Sequence, residues 1–269
     1  MSLLLAGLPM YDFPWTAPAL DAVWRWVGAF LRGRGVEAPS LLTRDVPLEA
    51  LWRSPGLVLG QTCGYPYRHG LGDFVELIAT PVYAFEGCEG ANHCSFLVVR
   101  REDPRADLAA FRGARAAINA GDSNTGMNLF RAALAPLARG APMFAEVAVT
   151  CAHAASLAAV AAGTSDIVAI DCVTFGLLAK GAPELVAGVR VLARTPSSPG
   201  LPFIASLGLP AEHRATVRDA LFGALDETSL SEAWATLGIV GAEVLGPEAY
   251  ERVDELEAGA ARLGYAELS

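Results

Sequence analysis

The chain has 269 residues, 53% of them hydrophobic, and carries a net charge of −9 with a pI near 5.0. Such acidity argues against binding to duplex nucleic acid, which requires a basic face to displace counterions. The apolar content supplies core for one large or two modest domains. Lys180 is the only lysine among 20 basic residues, so a Walker phosphate loop or a lysine Schiff base would have to fall there. It instead ends an apolar run before Gly181, the chemistry of a helix C-terminus.

Taken in chain order, Leu3–Leu8 reads as a strand, Ala17–Arg32 as an amphipathic helix and Ser40–Thr43 as a second short strand. Leu48–Arg53 follows as a short helix, with strands at Gly56–Gly60, Phe74–Thr80 and Ser95–Arg100. Three strand–loop–helix units come next. They are Ala114–Asn119 into Met127–Leu137, Glu146–Val149 into Ala154–Ala162, and Asp166–Ile170 into Val173–Ala179. A strand at Val189–Ala193 runs into Thr195–Pro202, whose Pro and Ser content signals a linker. The last helices, Ala211–Leu225, Ser231–Leu237 and Pro247–Leu263, have no strands to pack on. Their economical partner is the first lobe. The expected division is residues 1–98 with 196–269 as lobe one and 99–195 as lobe two. These would be two α/β lobes joined by a two-segment hinge, with strand ends facing a ligand cleft.

The longest stretch free of charged residues, Val147–Ser165, is long enough to span a bilayer. Thr150, His153, Ser156 and Gly163 interrupt it, so it reads as a strand and an Ala-rich helix, and no membrane insertion is expected. The N-terminus lacks the basic region of an export signal, which points to a cytoplasmic location, or a periplasmic one had a signal been removed. The five cysteines, Cys63, Cys88, Cys94, Cys151 and Cys172, fit no zinc spacing and read as buried apolar thiols. No metal or cofactor is expected.

Chemistry concentrates where strands end. Ser123, Asn124 and Thr125 precede Gly126 and a helix. One such residue suffices as an N-cap, whereas the set offers hydroxyls, an amide and backbone N–H donors to an oxyanion. His153, at the next helix start, is either a packing residue or a donor from the same edge. Ser156, one turn on, lines the pocket or caps the turn. Asp171 ends the apolar run 167–170, either as an N-cap or as a carboxylate facing the ligand, where it would repel a bare dianion. In lobe one, Tyr11, Gln61 and Tyr65 stand at strand ends, as ligand contacts or rim packing.

A set of short strings carries a further resemblance. They are Met10-Tyr11-Asp12, Gln61-Thr62-Cys63-Gly64-Tyr65-Pro66, Thr80-Pro81-Val82-Tyr83, Ser123-Asn124-Thr125-Gly126, Thr150 with His153 and Ser156, Ala169-Ile170-Asp171, and Pro199-Gly200-Leu201-Pro202. Together they resemble the PhnD-like phosphate/phosphonate substrate-binding proteins of ABC transporters, over residues 1–207. The chain departs from that family at His93-Cys94-Ser95, where many members have Tyr-x-Ser.

The resemblance implies a type II periplasmic-binding-protein fold and a small anionic ligand. It implies that Ser123, Asn124, Thr125 and His153 hold the oxyanion, that Tyr11 and Tyr65 close from the other lobe, and that Asp171 meets a substituent such as an amine. An ABC transporter membrane component would be the partner. The alternative is an enzyme on the same fold acting on a carboxylated substrate, with Asp171 or His153 as general base. No nucleophile–base set is legible in the loops, which favours binding.

Overall fold

Two five-stranded mixed sheets organise the chain, in a computed structural model that describes residues 3–269. Each sheet belongs to its own compact unit. The first unit comprises the chain up to Ala84 with Gly200–Ala249, and the second Phe85–Pro199 with Tyr250–Ser269. This is an α/β type II periplasmic-binding-protein-like architecture with two mixed sheets.

In the first unit the strands are β1 (Leu5–Gly7), β2 (Leu57–Gln61), β3 (Val75–Tyr83), β12 (Phe203–Ser206) and β13 (Ile239–Glu243). Their order is β1-β2-β12-β3-β13. Every residue of β2 is buried, as expected of an inner strand covered on both faces. Helix Ala17–Gly33 turns Val23, Trp24, Val27 and Leu31 inward, where it meets helices Ala211–Asp226 and Ser231–Leu237. Two indole N–H groups find carbonyls there: Trp24 donates to the Pro39 carbonyl at 3.2 Å and Trp234 to that of Ala224 at 2.7 Å.

The second unit holds β4 (Cys88–Glu89), β5 (Asn92–His93), β6 (Ser95–Arg100), β7 (Ala114–Ile118), β8 (Phe144–Val149), β9 (Ile167–Asp171), β10 (Val189–Arg194) and β11 (Ser198–Pro199). The main sheet runs β10-β6-β9-β7-β8, and β11-β5-β4 form a small second one. Because β7 is parallel to both β8 and β9, the carboxyl ends of all three lie on one edge. The helical segments starting at Asn124, His153 and Cys172 begin there.

Several expectations are corrected. Ser40–Thr43 is not a strand, although the Thr43 N–H donates to the Ala6 carbonyl at 2.6 Å beside β1. The segment read as a linker contains β11, which pairs with β5. The unit boundaries also fall elsewhere. Strand β6 lies inside the second unit's sheet because its apolar residues pair with β9 and β10. Strand β13, too short and Gly-containing to stand out, supplies part of the surface that the first-unit helices pack on.

The C-terminal segment is the largest departure. Helix Glu251–Arg262 packs on helix Leu129–Ala138 of the second unit. The buried Asn128 amide donates to the Val253 carbonyl at 3.1 Å, and the buried Arg131 guanidinium reaches the Ala266 carbonyl at 2.7 Å and Glu257 at 3.1 Å. Truncation after Ala249 would expose the face that Tyr250, Val253 and Leu256 cover. At about 1.5–3 kcal/mol for each buried apolar side chain, the second unit should lose at least about 4 kcal/mol. Hydrogen exchange should then show amides of β7 and β9 opening while those of β2 and β3 stay protected. Uniform protection in both units would refute this packing account.

Candidate ligand-binding site

At the end of β7 the chain enters a helix through an unusually wide first turn. The N–H groups of Met127 and Asn128 both donate to the Ser123 carbonyl, at 3.2 and 3.0 Å, and the Ser123 hydroxyl accepts from the Gly126 N–H at 2.9 Å. The i→i+5 bond is the mark of a π-type turn, a form found often at functional sites. A Cβ at 126 would lie 1.7 Å from the Asn119 side-chain oxygen, so any larger residue there would displace the Asn119 side chain.

The three polar residues of this turn have different partners. Asn124, 1% exposed, donates to the Ser198 hydroxyl at 2.8 Å and accepts from the Asn128 amide at 3.0 Å. It ties the turn to β11 and to the helix behind. Thr125 points the other way, its hydroxyl 3.0 Å from His153 Nε2, while its carbonyl accepts from the Ser95 hydroxyl at 2.8 Å. Thr125 and His153, expected at one sheet edge, are thus in direct contact.

His153 opens helix His153–Ala161. The residue is partly exposed, with its Nδ1 buried. Burial holds the imidazole below its ordinary pKa of 6.5, against smaller opposing effects of Asp171 and the Ala169 carbonyl. Ser156 is fully buried and shares a 2.6 Å hydrogen bond with the Thr150 hydroxyl, which also donates to the Ile118 carbonyl. Its visible work is to lock two strand-end loops together.

Asp171 caps helix Cys172–Gly181, one carboxylate oxygen accepting from the Thr174 N–H at 2.8 Å. The other lies 3.4 Å from Nδ1 of His93, and both side chains are about 2% exposed. Neither ring nitrogen of His93 has a hydrogen-bond partner. Desolvation dominates and pushes the ring below its ordinary pKa of 6.5, although the Asp171 carboxylate pulls the other way. The sequence pattern did not place His93, Ser95 and Ser198 as neighbours of the site. The signal was the position itself, just ahead of β6.

Beside this pair sit three thiols. Cys88 and Cys172 have sulfurs 3.5 Å apart, and Cys94 and Cys172 are buried, while Cys63 is partly exposed and Cys151 exposed. Only Cys94 and Cys172 are buried, so the expectation of buried thiols holds for two of the five. Among the described residues no group of His, Cys, Asp and Glu is arranged to hold a metal ion.

In the first unit, Tyr11 and Gln61 are buried and line a cavity of about 20 Å³ with Tyr83, Leu59 and Trp234. That is room for about one water-sized group. Tyr11 meets Tyr83 edge to face at 5.5 Å, and the Gln61 amide donates to the Tyr83 hydroxyl at 3.3 Å and the Leu201 carbonyl at 3.2 Å. Tyr65, by contrast, is partly exposed, its ring 4.1 Å from that of His69.

A family model described as the periplasmic phosphonate substrate-binding protein of ABC transporters matches residues 60–250. The chain belongs to this family. Its members are binding proteins rather than enzymes, so the enzyme alternative is not supported. No curated protein matches the chain. Among solved structures, XAC2383 from Xanthomonas citri, bound to chloride, is 18% identical with a TM-score of 0.75, covering 98% of this chain and 99% of that one. The binding component of a Pseudomonas aeruginosa ABC phosphonate transporter is 15% identical at 0.74, covering 98% and 88%. PhnD1 from Prochlorococcus marinus, in complex with methylphosphonate, is 14% identical at 0.71, covering 96% and 98%. At these identities the structures show the fold alone. Among the described residues no helix is long and apolar enough to cross a membrane.

The buried histidine gives this phosphonate-binding-family chain a pH signature. His93 is held below 6.5 when folded, so below that pH the unfolded chain binds the extra proton and stability falls as pH falls. The loss should approach about 1.4 kcal/mol per pH unit for one such group, and His153, partly open, should add less. Urea unfolding at pH 7.5, 6.5 and 5.5 should show this slope in wild type and a shallower one in His93→Gln. Equal slopes would mean that His93 is not held neutral.

Proposed function

We propose that this protein binds a small phosphate- or phosphonate-like oxyanion and serves as the solute-binding component of an ABC transporter. The observation that carries the reading is the 3.0 Å contact between the Thr125 hydroxyl and His153, made at the head of the turn that Ser123 caps. Two hydroxyls, an imidazole and the N–H groups of a helix start are then gathered at one sheet edge, a set suited to an oxyanion. These are neutral donors.

Asn124 supports the site through the fold, its side chain bridging Ser198 and Asn128, and Ser156 does the same through Thr150. The Asp171 carboxylate favours a ligand that carries a donor or a cation beside its oxyanion. Tyr65 keeps its sequence-based assignment as a ligand contact. The family and the PhnD1 complex with methylphosphonate support this ligand class.

Calorimetry with inorganic phosphate and methylphosphonate tests the reading, alongside mass spectrometry of small molecules that copurify with the native protein. A hydrogen bond to a charged group contributes about 1.5–3 kcal/mol, so Ser123→Ala should weaken binding about tenfold or more. It should also cost about 1 kcal/mol of stability through the lost cap. Unchanged affinity with the stability loss alone would leave Ser123 as a cap and remove it from the site.

A further inference from the structure

We propose that His93 is a specificity-determining residue of the oxyanion site, taking up one proton when a bare oxyanion binds, so that a dianion enters only together with that proton. The inference rests on the oxyanion reading above and adds to it a charge rule. Its geometric basis is the buried His93–Asp171 pair, 3.4 Å apart, with neither ring nitrogen of His93 in a hydrogen bond.

The surroundings of His93 leave few other ways to balance charge. On its own small sheet it stands opposite Cys88 of β4 and Ser198 of β11, with Cys94 and Ser95 next along the chain. From β9 and the helix after it come Asp171 and Cys172, and from helix His153–Ala161 comes His153, whose ring is electrostatically coupled to that of His93. Exposed Glu89 is a neighbour on β4. Contact with Cys172, and then burial, holds the Cys94 thiol up, and contact with Cys88 does the same for Cys172. Both thiols therefore stay neutral. Arg194 acts on Cys94 and is half-exposed, engaged with Glu86.

A bare oxyanion at Thr125 and His153 brings a second negative charge toward a carboxylate that is already buried, and like charges in a poorly solvated site repel strongly. Either imidazole could absorb a proton in response. His153 already has its Nε2 on the Thr125 hydroxyl, whereas a protonated His93 would gain Asp171 as an ion partner and cancel the charge that opposes the ligand. The sign follows directly. His93 is neutral in the free protein because burial lowers its affinity for protons, and the bound anion raises that affinity. Proton uptake therefore appears between the free and bound pKa values, and anion affinity falls as pH rises through the bound one.

The test is calorimetry with inorganic phosphate and methylphosphonate from pH 5.5 to 8, in buffers of different ionisation heat, on wild type, His93→Gln and His153→Gln. The ligands titrate in this range, so the readout is the difference between proteins for the same ligand. Wild type should take up close to one proton more than His93→Gln. Its affinity should fall up to about tenfold more per pH unit, the limit for one linked proton, while His153→Gln binds more weakly but keeps the uptake. Equal uptake in wild type and His93→Gln, or loss of uptake only in His153→Gln, would overturn the proposal and leave the oxyanion reading standing. Failure of wild type to bind either anion would overturn both. If His93→Gln does not fold, NMR of the wild-type His93 ring decides. It should convert from neutral to imidazolium when phosphate is added at pH 6.5, and a ring that stays neutral overturns the proposal.

Discussion

The register of β6 against β9 is the constraint from which the second unit's site follows. Ser95 lies opposite Asp171 in that antiparallel pair, at the separation where cross-strand side chains meet directly. One residue further out, the Cys172 N–H donates to the Cys94 carbonyl at 3.1 Å, and one more brings His93 to the Asp171 carboxylate. From the strand itself the Ser95 hydroxyl reaches the Thr125 carbonyl. A slip of one residue would send every one of these side chains to the opposite face. The buried apolar run Phe96–Val99 against Ile167–Ile170 prevents that slip.

That register also sets the electrostatic problem the site must solve. A carboxylate buried to 1% exposure carries a large desolvation cost unless it is hydrogen-bonded or paired. Here one of its oxygens accepts from the Thr174 N–H at the start of a helix. The proposed oxyanion donors around it are hydroxyls and imidazoles, and the buried Arg131 is engaged by Asn128, Ala266 and Glu257. Neutral donors cost less to desolvate than a lysine or arginine and leave the net charge to be set by ligand and protons.

Much of this was legible in the residues. The runs 114–118 and 167–170 are apolar enough to be inner strands, and each ends in a polar loop before an Ala- and Leu-rich helix, so the sheet edge and the residues on it follow from pattern alone. The placement of Ser123, Thr125, His153 and Asp171 at that edge was legible this way. His93 was not, because a two-residue strand has no periodicity to read, and its meaning depends on a carboxylate distant in sequence. Tyr11 and Gln61 stand at strand ends as expected, yet their partners, Tyr83 and the Leu201 carbonyl, come from β3 and a chain return that only pairing reveals. The division of the chain was misjudged for a similar reason. Helix Glu251–Arg262 has an ordinary amphipathic pattern, and nothing in such a pattern names the surface it will cover.

The placement of that helix bears on the site itself. The Asn128 amide divides its two hydrogens between Asn124 and the Val253 carbonyl, and Asn124 in turn donates to Ser198. A single chain of buried amides and a hydroxyl thus runs from the C-terminal helix through the Ser123 turn to β11. Each member is satisfied by the next, and loss of one leaves its neighbour as an unpaired buried polar group, which costs more than the bond it made. The wide first turn depends on this chain, since a π-type turn is less favourable than an α turn and must be held by tertiary contacts. Gly126 holds it from the other side, with Asn119 packed where a Cβ would stand. The position of the Thr125 hydroxyl is therefore set by residues at 119, 198 and 253 as much as by its own loop, which is why the proposed oxyanion cradle of short polar side chains needs the whole unit folded around it.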